Sequence, residues 1–132
     1  MARPASEHPT ELELEILKVL WGRSPLPVRD VRLDLEKQAG RALSHSSVIT
    51  MLNIMVRKGY LGRKKLANAF LFAPKVKKED IAGGIVGDLL SRVFGGSSSA
   101  MVLNLIETAD LGADELADLR RLISRKAAEQ KK

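Results

Sequence analysis

Residues 44–65, SHSSVITMLNIMVRKGYLGRKK, constrain the fold more than any other part of the chain. At about 100° per residue, Val48, Met51, Leu52, Met55 and Val56 fall on one side of a helix, and Ser46, Ser47, Thr50, Asn53, Ile54 and Arg57 fall on the other. The first side is suited to a core and the second to a partner. Ser44 is placed to cap the helix start, and Gly59 to supply the left-handed residue that ends it. No carboxylate occurs in residues 37–78, a window that holds ten Lys or Arg residues. Solvated helix faces ordinarily mix both signs of charge, so a surface of one sign points to a polyanion.

The segments on either side supply helix-turn-helix order. Thr10 and Glu13 have the T-x-x-E spacing of a capping box. The helix that follows turns Leu12, Ile16, Leu17, Val19 and Leu20 inward, with Trp21 as a packing anchor at its end. Pro25 and Pro27 cannot continue it, and Leu26 between them suits a short extended segment. A second helix is predicted over 28–38, with Val31, Leu33 and Leu35 as apolar contacts and Gly40 as its stop. Residues 41–44 then make a turn short enough to hold the second helix across the start of the third.

Residues 61–65 and 69–73 are predicted to form a two-stranded hairpin with Phe70 and Phe72 on one face. In the intervening Leu66, Ala67 and Asn68, the asparagine is the residue suited to a left-handed turn position. A hairpin directly after a recognition helix is the wing of a winged helix. Arg63, Lys64, Lys65 and Asn68 then lie on its outer edge and tip, where such residues suit phosphates better than bases.

After Pro74 the composition changes. Ile81, Ile85, Val86, Leu89, Leu90 and Val93 recur at helical spacing over 78–94, although Gly83, Gly84 and Gly87 each weaken that helix by up to roughly 1 kcal/mol relative to Ala. Those glycines either permit close approach of another helix or are tolerated. GGSSS at 95–99 is a break and a cap, since the lysine and spacing of a phosphate-binding loop are missing. Met101, Val102, Leu105 and Ile106 make another apolar face. The last helix, ADELADLRRLISRK, turns Leu116, Leu119, Leu122 and Ile123 inward, with its acidic residues early and its basic residues late. So short a segment buries too little surface to be comfortable alone, which points to association with a second copy. Its expected contacts are Ile85, Leu89, Val93, Met101, Leu105, Leu116, Leu119 and Leu122.

The expected organisation is mainly α with a small β wing: a disordered tail over 1–9, a winged helix-turn-helix DNA-binding domain over 10–74 and a helical dimerisation domain over 75–132. Charge follows the same division. Of a net charge of +6, residues 1–74 hold twelve basic and seven acidic groups, and residues 75–132 hold ten and nine. With no cysteine there is neither a disulfide framework nor a thiolate metal site. No run reaches the eighteen or so apolar residues of a membrane span, and MARPASEHP carries no apolar signal segment. A cytoplasmic protein without cofactor or metal, and without direct membrane insertion, is the expectation.

The order of pieces resembles the penicillinase-repressor family, the BlaI/MecI type of bacterial regulator. The resemblance is carried by ELEILKVLW, SSVITMLNIMVRKGYL, GDLLSRVFGG, AMVLNLIE and DELADLRRLI. It implies a winged-helix domain, a helical dimerisation domain and binding to a palindromic operator as a dimer. It also implies release when a membrane metalloprotease sensor triggers cleavage in the C-terminal arm, where Asn104 and Leu105 match the family's cleavage stretch with Leu in place of the usual Phe. Two further departures are Ile54, where the family usually carries Arg, and Pro27, where it carries a polar cap. The cysteine motif of a copper-responsive branch is missing.

The leading reading is a dimeric transcriptional repressor. Ser46, Ser47, Thr50 and Asn53 would read bases, Ile54 would meet a thymine methyl, and Arg57, Lys58, Arg63, Lys64, Lys65 and Asn68 would serve the backbone. A second reading is a winged-helix interaction adaptor that does not read DNA, which a salt titration on DNA separates from the first. An enzyme is the weakest reading. His8 lies in the tail, His45 reads as a phosphate neighbour or plain surface, and no cysteine nucleophile exists.

Overall fold

The computed structural model describes residues 8–131, so most of the expected tail lies outside the described residues. Six helices and three short strands follow one another: α1 Glu11–Gly22, β1 Leu26–Pro27, α2 Val28–Ala39, α3 His45–Lys58, β2 Leu61–Leu66, β3 Ala69–Pro74, α4 Lys78–Phe94, α5 Ser98–Thr108 and α6 Ala113–Gln130. They divide into two compact units, residues 1–86 and 87–132, with the division inside α4.

The predicted helix ends are present as hydrogen bonds. Thr10 N–H donates to Glu13 Oε1 at 2.8 Å and Glu13 N–H to Thr10 Oγ1 at 3.2 Å, which completes the capping box. Ser44 Oγ accepts from Ser47 N–H at 3.1 Å and opens α3. Gly40 and Gly59 close α2 and α3 in the left-handed region, at φ 67° and 88°, where a side chain would be strained. Pro27 stands at the N-cap of α2 and supplies no side-chain cap. Ser97 caps α5 by accepting from Ala100 N–H at 3.2 Å.

The first unit is built around one core. Ile16, Leu17, Val19 and Leu20 of α1, Val31 and Leu35 of α2, and Val48, Leu52 and Met55 of α3 are buried with Leu26, Leu61 and Phe72 from the strands. Met51 and Val56 are half-buried against it. Trp21 anchors the end of α1, its indole Nε1–H donating to the Val76 carbonyl at 2.9 Å.

Four expectations are corrected. The hairpin is part of a three-stranded antiparallel sheet of order β1-β3-β2, because Leu26 and Pro27 pair with Phe72 and Leu71. Leu33 is 43% exposed and not a core contact: on a helix that buries Val31 and Leu35, the residue between them points away. The left-handed residue of the hairpin turn is Ala67, at φ 55°, and not Asn68. Finally, α6 continues to Gln130, so its arginines and lysines precede its last turn, which holds no basic residue.

The second unit contrasts with the first. Among the described residues, every buried apolar side chain lies between Ile16 and Phe72, and α4, α5 and α6 bury none. Ten of the thirteen exposed large apolar side chains belong to those three helices. A groove of about 580 Å³ runs between α5 and α6, lined by Val102, Leu105, Ile106, Leu119 and Ile123 among others. Among the described residues, no single helix is long and apolar enough to cross a membrane.

Candidate nucleic-acid interface

With Val48, Leu52 and Met55 buried, the helical period leaves Ser46, Thr50 and Arg57 exposed on the opposite side of α3, with Asn53 and Ile54 half-buried at its margins. Ile54 is not among the side chains packed against the core. Two hydroxyls of this face, those of Ser47 and Thr50, are already engaged locally. Ser47 Oγ accepts from the Ser44 hydroxyl at 2.9 Å, and the Thr50 hydroxyl donates to the Ser46 carbonyl at 2.9 Å. Each retains capacity for a further hydrogen bond.

The strand register sorts the wing cations. Arg63 pairs with Phe72, Lys64 with Leu71 and Lys65 with Phe70. Directly paired residues share a face and successive residues alternate, so Arg63 and Lys65 lie on the face of the two phenylalanines and Lys64 on the other. The outer-edge placement expected for all three holds as exposure but not as a common direction. Phe72 is buried, whereas Phe70 is 42% exposed and carries the Arg63 guanidinium 4.7 Å from its ring centroid. Arg63 Nη1 also donates to Asn53 Oδ1 at 2.6 Å.

A groove of about 470 Å³ lies between α3 and the wing. Its lining includes His45, Ile49 and Asn53 from α3, Arg29 from the first turn of α2, and Arg63, Asn68 and Phe70 from the hairpin. Sequence reasoning passed over Arg29 and Ile49 as site residues. The available signal was the i, i+4 spacing of His45, Ile49 and Asn53, which places all three on one stripe of the helix.

Lys58 has a partner that was not foreseen. Its Nζ lies 2.8 Å from Glu13 Oε2, and Glu13 is 1% exposed. Burial pushes the Glu13 carboxyl up, but the Lys58 hydrogen bond, the capping bond with Thr10 and the Lys58 charge together hold it below its ordinary value. The pair bolts the first turn of α1 to the last turn of α3, where each charge also complements its helix dipole. Arg41 similarly meets Glu15 at 2.5 Å and Glu11 at 3.6 Å. The carboxylates of α1 thus neutralise cations beside α3, while Arg57, Lys64 and Lys65 remain exposed.

In the C-terminal helices Leu89, Val93, Leu105, Leu116 and Leu122 are exposed, and Ile85, Met101 and Leu119 half-buried. Asn104 and Leu105 lie on exposed turns inside α5, and the Asn104 carbonyl accepts from the Thr108 hydroxyl at 2.7 Å. Among the described residues, no group of three or more His, Asp or Glu side chains is placed to hold a metal ion.

The penicillinase repressor family model matches residues 9–125. The chain is similar to the penicillinase repressor of Bacillus licheniformis, with 28% identity over 114 residues, 86% of this chain and 88% of that one. It is also similar to the transcriptional regulator BlaI of Mycobacterium tuberculosis, with 29% identity over 116 residues, 86% of this chain and 81% of that one. Among solved structures, H. salinarum RosR matches with a TM-score of 0.52 at 21% identity, covering 93% of this chain and 97% of that one, a likeness of fold. The capped three-helix core, the wing and these matches place the chain in the penicillinase repressor family, whose members are transcriptional repressors and not enzymes.

Proposed function

We propose that this chain is a dimeric repressor that binds a palindromic operator through residues 10–74 and dimerises through residues 75–132. The observation that carries the DNA reading is the exposed side of α3, polar and free of carboxylates, with Arg57 at its end, Arg63 of the wing hydrogen-bonded to its Asn53, and Lys64 and Lys65 exposed on the wing. Ser46, Ser47, Thr50, Asn53 and Ile54 serve as base readers. Arg57, Lys64, Lys65 and Asn68 serve the backbone, with Lys58 and Arg63 held to Glu13 and Asn53 in the free protein.

Dimerisation is supported by the leucines, isoleucines and valines exposed on α4 to α6 among the described residues. Large exposed apolar patches mark interaction surfaces. Release would follow cleavage between Asn104 and Leu105, triggered by a membrane metalloprotease sensor. A protease takes an extended strand, so α5 must open first, and a helix with no buried residue opens at low cost.

A salt titration on a random-sequence duplex tests the DNA reading. Each phosphate contact adds roughly 0.9 to the slope of log affinity against log salt. Lys64→Ala with Lys65→Ala is expected to lower that slope by up to about 2. A chain with no measurable, salt-dependent DNA affinity would return the adaptor reading.

A further inference from the structure

The geometry points to Arg63 as a specificity-determining residue that acts through Asn53, and not only as a cation for phosphate. The inference rests on the proposed base-reading role of α3. Three observations converge on it. Register turns Arg63 to the face of Phe72 and Phe70, toward α3. The Phe70 ring supports the guanidinium from one side at 4.7 Å. Nη1 then meets Asn53 Oδ1 at 2.6 Å. Lys64, one residue on, lies on the opposite face.

The chemical consequence concerns the asparagine. A free Asn amide presents a donor and an acceptor side by side, the pattern that pairs in bidentate fashion with adenine N6 and N7. A guanidinium offers only donors. It therefore accepts one of the two amide orientations, with Oδ1 toward the wing and the Nδ2 donors directed away. An adenine contact would have to use the second lone pair of Oδ1, bringing the N6 amino donor beside the Arg63 guanidinium, donor against donor. A guanine edge offers O6 and N7, both acceptors, and matches an Asn53 that presents donors. With Arg63 in place Asn53 favours guanine; without it, the amide is free to turn and adenine becomes its better partner. The wing is thereby coupled to base choice in the adjoining groove.

The test is selection of bound sequences from a randomised duplex library by the full chain and by Asn53→Ala, Arg63→Ala, Arg63→Met and Lys64→Ala. Arg63→Met keeps an apolar side chain against Phe70, where sulfur packs favourably, and thermal unfolding of each variant checks that the wing is intact. Asn53→Ala is expected to erase a guanine preference at one position of each half-site. Both Arg63 variants should shift that same position from guanine toward adenine by roughly tenfold, within what one bidentate contact discriminates, and leave the other positions unchanged. Lys64→Ala should weaken all sequences alike. An Arg63→Met profile equal to the natural one, with affinity lowered uniformly as in Lys64→Ala, overturns the coupling while leaving DNA reading in place. A library from which the unaltered chain selects no sequence overturns both.

Discussion

Lys58 and Glu13 show how one contact reassigns two residues. From the sequence, Glu13 is half of a capping box and Lys58 a phosphate ligand, yet the two meet across a separation of 45 residues with the carboxylate buried. Lys58→Met leaves that carboxylate without its cation, and a loss of about 3 kcal/mol is expected at neutral pH, the lower end for a buried pair because Lys58 keeps 33% exposure. The sign with pH follows from the depressed Glu13 value. In the natural chain the pair's contribution is present above the ordinary carboxylate value of 4.5 and is lost as pH falls through the lowered folded value. In Lys58→Met the lowering by Lys58 is gone while burial and the Thr10 capping bonds remain, so Glu13 titrates higher than in the natural chain and the deficit between the two proteins should shrink as acid neutralises the carboxyl. Urea unfolding of both at pH 7 and pH 4 measures this, and a deficit that does not change with pH would mean Glu13 does not titrate as described. A second residue, Ala67, holds φ 55° in a region that costs an L-residue about 1–2 kcal/mol. Ala67→Gly is expected to stabilise the wing by about 0.5–1 kcal/mol once the entropy of glycine is subtracted, measured as a raised urea midpoint.

At the scale of elements, the rotation of α3 decides what the helix can read. Val48, Leu52 and Met55 are fully buried, whereas Ile54 is half-buried and off the core. Leu52→Ala is expected to cost 2–5 kcal/mol, the range of about that size for emptying a buried leucine site. Ile54→Ala should cost less than about 1 kcal/mol and show its effect in DNA selectivity at one A·T pair of each half-site. Equal losses in chemical unfolding would show that α3 is rotated from this orientation. The ends of α1, α2 and α3 were legible in the sequence because each cap involves residues no more than four apart. The wing was legible only in part. Its strands show in the alternation of Phe70 and Phe72, but the third strand, Leu26–Pro27, pairs with Phe72 and Leu71, far along the chain, and no local pattern announces that partner.

On the scale of the whole molecule, one core serves residues 16–72 and the last three helices lack one. A chain truncated after Asn104 loses α6 and the end of α5, including Leu105, Leu116, Leu119 and Leu122. It is expected to sediment as a monomer while its first unit unfolds as in the full chain. Operator affinity should drop on the order of 10²-fold or more, because two linked half-site contacts become one. A truncated chain that remains a dimer with full affinity would remove the arm from both assembly and release.

What the sequence determined by itself was whatever depends on neighbours within a turn or on period. The ends of α1, α2 and α3, the buried stripe of α3, the one-signed charge of residues 37–78 and the family are of this kind, since backbone geometry dictates which near residues share a face. Tertiary structure alone decided which charges meet. Glu13 took Lys58, Glu15 took Arg41 and Asn53 took Arg63. Those pairings depend on how helices and strands stack once the core has formed, and a charged side chain carries no mark in sequence of the partner that packing will bring to it.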